Sequence, residues 1–213
     1  TIVGFVGASG SGKSTLIDIL MGLIKPQSGN IYIDGKVLEE DNIKQWISKI
    51  GYVPQSIYLS DSSIMENIAF GLKIKDIDIE QVRKTAIIAN IDKHIESLPE
   101  KYYTNVGERG MKLSGGQIQR IGIARALYNN PDVLIFDEAT SALDSITEGV
   151  IMELIHKLGH KKTIIIIAHR INTLIGADNI FILKKGEILD SGRYNDLIEK
   201  SDFFKKIATS IKD

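Results

Sequence analysis

Near the start of the chain, Gly7-Ala8-Ser9-Gly10-Ser11-Gly12-Lys13-Ser14 fits the pattern G-x-x-x-x-G-K-[ST]. An unbroken apolar run, Ile2-Val3-Gly4-Phe5-Val6, leads into it, and a helical pattern with Leu16, Ile19, Leu20 and Leu23 on one side leads out. Strand, glycine-rich loop and helix in that order leave few folds open. Glycines let backbone N–H groups close around phosphate oxygens, and the helix N-terminus adds a favourable dipole. In such a loop Lys13 would reach the β- and γ-phosphates, and the Ser14 hydroxyl would ligate Mg²⁺. A strand apolar on both faces belongs in the middle of a parallel sheet.

The rest of the chain agrees with that sheet. Ile31–Ile33 and Ile50–Val53 read as short strands, and Val133–Phe136 and Thr163–Ile167 as buried ones. Ser114–Asn130 reads as a loop entering a helix stopped by Pro131, and Ser145–Leu158 as a helix stopped by Gly159. Phe181–Leu183 and Glu187–Leu189 flank Lys184-Lys185-Gly186 as a hairpin, and an amphipathic helix starts near Asp202. Alternating strands and helices predict an α/β fold with a mainly parallel sheet. Residues 1–60 and 130–213 form its core. The helix-rich stretch at about 61–129 reads as a helical subdomain inserted into it. Domains seldom begin with their most buried strand, so a truncated start is expected.

Composition narrows the function classes. The 213 residues carry 26 Lys plus Arg against 27 Asp plus Glu, a net charge of -1. That balance gives no electrostatic reason to expect duplex nucleic acid or an anionic membrane as a direct partner. There is no cysteine, which excludes disulfides, thiolate metal sites and cysteine nucleophiles. The longest aliphatic stretch, Ile164–Ala168, falls far short of the roughly 20 residues a membrane helix needs.

Two further clusters carry chemistry. Phe136-Asp137-Glu138 ends a buried strand, which places both acids at the C-terminal edge of the sheet, where α/β proteins bind ligands. Asp137 is expected to reach Mg²⁺ through a bound water or another ligand, and Glu138 is placed to polarise an attacking water as general base. Ser114-Gly115-Gly116-Gln117 opens a helix and makes a second glycine-rich anion site, which suggests a nucleotide held from two sides.

In this order the motifs resemble the nucleotide-binding domain of ATP-binding cassette (ABC) transporters, over essentially the whole chain. Gly7 to Thr15 resembles Walker A, and Gln55 in Tyr52-Val53-Pro54-Gln55 the Q-loop. Leu113 to Gln117 resembles the family signature, and Val133 to Glu138 resembles Walker B. Ser141-Ala142-Leu143-Asp144 resembles the D-loop, and His169 in Ala168-His169-Arg170 the switch histidine.

The resemblance implies ATP and Mg²⁺ as ligands, with Gln55 contacting the ion and the attacking water and His169 bonding the γ-phosphate. It implies that Ser114, Gly115, Gly116 and Gln117 bind ATP held by a second cassette. Two cassettes would sandwich two ATP head to tail, with Asp144 in the loop linking the sites.

Thr104-Asn105-Val106-Gly107-Glu108-Arg109-Gly110 is similar to the X-loop of exporter-type members, with Asn105 where glutamate is usual, and Ser63–Ile68 also looks exporter-like. The expected setting is the cytoplasmic face of a membrane, beside a transmembrane domain on the same natural polypeptide. Ile118 stands where the family commonly has a polar or basic residue. The resemblance implies that a small antiparallel β part and the adenine-stacking aromatic of the family precede Walker A and are missing at the truncated start, and Phe5, inside the strand, is expected in the core instead. A non-transport ABC ATPase acting on DNA or ribosomes is the alternative, although no sustained heptads separate Lys13 from Ser114. A degenerate cassette that binds ATP only to dimerise is a third reading, and intact Glu138 and His169 argue against it.

Overall fold

The computed structural model describes residues 1–139, 145–168 and 170–209. The chain opens with strand β1 (Ile2–Val6), the glycine loop and helix α1 (Lys13–Leu20). A hairpin of β2 (Tyr32–Ile33) and β3 (Lys36–Val37) follows, then α2 (Ile43–Ile47) and β4 (Ile50–Val53). The helical stretch holds α3 (Ile64–Ile68), α4 (Ile79–Ile88), α5 (Asp92–Ser97) and α6 (Gly115–Tyr128). Next come β5 (Val133–Asp137), α7 (Ser145–Gly159) and β6 (Thr163–Ala168). The hairpin β7 (Asn179–Lys184) and β8 (Glu187–Gly192) and the helices α8 (Tyr194–Lys200) and α9 (Asp202–Thr209) close the described chain.

Among the described residues the main sheet runs β4-β5-β6-β1-β7-β8 and is parallel except for the last pair. The mainly parallel α/β reading therefore holds, and β1 is central as its unbroken apolarity requires. Alternation along the strands supplies both faces. Leu134 and Phe136 of β5 and Ile164 and Ile166 of β6 point into the larger apolar cluster. Val133, Ile135 and Ile167 point to the other face, onto Ile17 and Met21. Burying a side chain such as Ile135 contributes about 1.5–3 kcal/mol.

Helix α1 packs on a different face from the one its leucines predict. Ile17 and Met21 are buried with Lys13, whereas Leu23 is 64% exposed. Positions 13, 17 and 21 stack on one helix face. Lys13 turns back into the loop that precedes it, and this fixes the helix phase so that Ile17 and Met21 meet the sheet. The site, and not the densest leucine stripe, orients this helix.

The larger cluster runs without a break from the sheet into the helical stretch, through Val53, Ile64, Ile68, Val82, Ile121 and Ala124. Both helix starts in that stretch that carry a serine are closed by reciprocal caps, Ser63 with Glu66 on α3 and Ser114 with Gln117 on α6. Phe5 is core as expected, stacked on Phe181 at 5.4 Å. No helix among the described residues is long and apolar enough to cross a membrane.

Candidate functional site

The strand register brings the functional segments to one edge. Val6 pairs with Ala168, Ile167 with Asp137, and Phe136 with Val53, so β1, β6, β5 and β4 end side by side. The glycine loop, the acids and the segment carrying Gln55 leave from those ends.

The loop is held tightly. Gly10 and Gly12 have φ of 76° and 101°, left-handed values that glycine adopts without cost. A Cβ on Gly7 would lie 2.3 Å from the carbonyl oxygen of Leu183. Gly186, in the β7–β8 turn, donates its N–H to the Ser11 carbonyl at 2.9 Å and anchors the loop from outside.

The Lys13 ammonium donates to the carbonyls of Gly7 at 2.8 Å and Ala8 at 3.2 Å. Burial lowers its pKa below the ordinary lysine value, and the charges of Glu138 and Asp137 partly oppose that shift. The two carboxylates therefore lie within electrical reach of the ammonium. Helix α1 carries no side-chain cap and no acid in its first turn, which leaves its N-terminal dipole for an anion. Ser14 and Thr15 are exposed at that turn, and the Ser11 hydroxyl is buried without a hydrogen-bond partner.

The acids are each met from β4 and the residues just after it. Tyr52 donates its hydroxyl to Asp137 Oδ2 at 2.9 Å, and Gln55 donates its amide to Glu138 Oε2 at 2.7 Å. Burial, and then the bond to Asp137, raise the Tyr52 phenol well above the ordinary tyrosine range. Glu138 itself has φ of 51°, a left-handed backbone that costs a non-glycine residue about 1–2 kcal/mol. Its N–H is satisfied by the Ile167 carbonyl at 3.0 Å.

The oxygen donors of Ser14, Gln55 and Asp137 suit a hard cation that keeps phosphate and water ligands, as Mg²⁺ does. Among the described residues no group of three or more His, Cys, Asp or Glu could hold a metal on its own. An ion here would have to arrive with phosphate oxygens.

Ser114 to Gln117 are not joined to this cluster. Gln117 closes back on Ser114, accepting its N–H at 2.8 Å and donating its own N–H to the Ser114 hydroxyl at 3.3 Å. Among the described residues a Cβ on Gly115 would meet nothing within 4 Å. Asp144 and His169 lie outside the described residues. A groove of about 460 Å³ lined by Tyr32, Trp46, Lys49, Asp132 and Thr163 is far from this chemistry, at the N-terminal ends of β5 and β6. Phosphate recognition by a loop uses backbone N–H groups, so volume is a poor guide here.

Two residues escaped sequence reasoning. Tyr52 carried no motif of its own. Arg125, half-buried on α6, donates to the carbonyls of Asn67 at 2.7 Å and Tyr58 at 2.9 Å, and lies 4.6 Å over the Phe70 ring. Burial pulls its guanidinium down to about 10. It ties the helix that starts at Ser114 to the chain just after Gln55.

Two departures from the family pattern also gain a local account. Asn105 Oδ1 accepts the N–H of Gly107 at 2.7 Å, which closes a tight turn. Ile118 packs against the apolar cluster beside Gly110.

Known proteins give the same pattern. Residues 1–141 match the family described as ABC transporter. The mouse protein "ATP-binding cassette sub-family B member 5" is 43% identical over 208 residues, which is 97% of this chain and 16% of that protein. A "Multidrug resistance ABC transporter ATP-binding and permease protein" of Lactococcus lactis is 38% identical over 208 residues, 97% of this chain and 35% of that one. The solved structure of a bacterial Atm1-family ABC exporter with ATP bound superposes with a TM-score of 0.89 at 38% identity, covering 99% of this chain and 37% of that one. The chain thus spans about a sixth to a third of the curated relatives it matches.

Proposed function

Because this chain belongs to the ABC transporter family, we propose that it is the ATP-binding and ATP-hydrolysing motor part of an exporter. The observation that carries this reading is the convergence at one sheet edge. The Lys13 ammonium sits in the glycine loop within the field of Asp137 and Glu138, and Glu138 is already bonded to Gln55.

In this reading Gly7 to Thr15 wrap the phosphates, and Lys13 leaves the Gly7 and Ala8 carbonyls for the β- and γ-phosphates. Ser14, Gln55 and Asp137 would hold Mg²⁺, which would supply positive charge to neutralise the phosphates. Glu138 accepts the proton of the attacking water, and Gln55 releases Glu138 to help orient that water. Catalysis then comes from positioning and charge stabilisation. His169 bonds the γ-phosphate.

Ser114 to Gln117 of a second cassette complete the site from outside, with Asp144 between the two sites. Residues 1–60 and 130–213 act as the catalytic core and about 61–129 as the helical part that carries the second half-site. The exporter names and "permease" in the relatives support a membrane domain as partner, on the cytoplasmic side of the membrane.

Phosphate release from the purified chain, with and without Glu138→Gln, tests the reading. The substitution should cut turnover roughly 10²–10⁴-fold while ATP is retained and dimers accumulate. Normal turnover by Glu138→Gln would remove Glu138 from the role of base.

A further inference from the structure

We propose that Tyr52 is a positioning residue for Asp137: its phenol holds the carboxylate so that Oδ1 is left for the magnesium ion or its bound water. The inference rests on the ATPase reading above and adds a residue to it.

Tyr52 pairs with Ile135 in the sheet, so Tyr52, Ile135 and Asp137 share one face, the face covered by Ile17 and Met21 of α1. The phenol reaches past Ile135 along that face and donates to Asp137 Oδ2 at 2.9 Å. Oδ1 takes no hydrogen bond among the described residues. Tyr52 is 37% exposed, so its phenol is only partly shielded from water. Three residues on, Gln55 treats Glu138 in the same way. One short segment therefore addresses both acids, one donor to each.

A hydrogen bond from a neutral donor to a carboxylate is among the stronger kinds, and a single one is enough to select a rotamer. Carboxylates that serve metals are generally fixed by such partners, and loss of the partner typically weakens metal affinity 10–100-fold.

Tyr52→Phe keeps the ring and removes only the donor. ATP affinity is measured by displacement of a fluorescent ATP analogue, across a Mg²⁺ titration and again in EDTA. The Mg²⁺ midpoint should rise roughly tenfold, with affinity in EDTA unchanged. In an Asp137→Asn background the same substitution should add nothing. An unchanged Mg²⁺ midpoint would overturn the proposal. So would an equal loss in EDTA and Mg²⁺, which marks a merely structural role, or a full additive effect in the Asp137→Asn background. Absence of Mg²⁺-dependent ATP binding with Tyr52 intact would instead sink the ATPase reading, and this inference with it.

Discussion

Two helices in this chain start alike in sequence and differ in construction. Helix α1 follows a run with three glycines and two serines, and α6 follows a serine and begins with two glycines. At α1 nothing caps the first turn, Lys13 and Ser11 are buried, and a neighbouring turn anchors the loop through Gly186. At α6 the serine and glutamine satisfy each other, and among the described residues nothing stands within 4 Å of a Cβ on Gly115. The first start leaves its dipole unspent and surrounds it with charge from its own chain. The second is complete as a helix. On the proposed reading, that difference fits a site shared between two copies, with one half built to hold and the other to be brought up.

The largest effect on the fold should come from crowding the built half. In Gly7→Ala the new Cβ would lie 2.3 Å from a backbone oxygen of Leu183 and 2.6 Å from Ser11 Oγ. The strand and the β7–β8 turn cannot both stay in place, so stability should fall by about 3 kcal/mol in a urea titration. A fall below about 1 kcal/mol would show that the loop is looser than its contacts imply.

A middle-sized effect separates cap from site. Ser114→Ala and Ser63→Ala each remove one serine from a reciprocal cap, and each should cost about 1 kcal/mol. Only Ser114→Ala should also reduce ATP turnover beyond what its stability loss explains. Equal turnover in the two variants would reduce Ser114 to a cap.

What the sequence disclosed and what it withheld follow from distance along the chain. The loop, the acids and the Ser114 cap are local patterns, each readable within a few residues. The strand alternation was legible for the same reason. The phase of α1 was not, because Lys13 orients that helix through the loop, and a stripe through Leu16, Ile19, Leu20 and Leu23 carries no trace of this. Tyr52 and Arg125 were silent because their partners, Asp137 and Asn67, are 85 and 58 residues away in sequence. Short α2 has no buried residue and α8 buries only Leu197, so neither leaves a strong period to read.

The smallest effect on the fold should be the most telling. Gly115 is the first residue of α6, its φ is not left-handed, and among the described residues a Cβ there would meet nothing within 4 Å. Alanine favours helix over glycine by up to about 1 kcal/mol, so Gly115→Ala should leave stability unchanged or slightly higher. If that open surface meets nucleotide on a second copy, the same methyl group stands in the way of phosphate. Turnover and ATP-driven dimerisation, read by phosphate release and light scattering, should then fall while ATP binding to the monomer persists. A variant that is stable, dimerises and turns over normally would mean that the space in front of Gly115 is merely solvent. The contrast with Gly7 would then reflect packing alone and no division of one site between two chains.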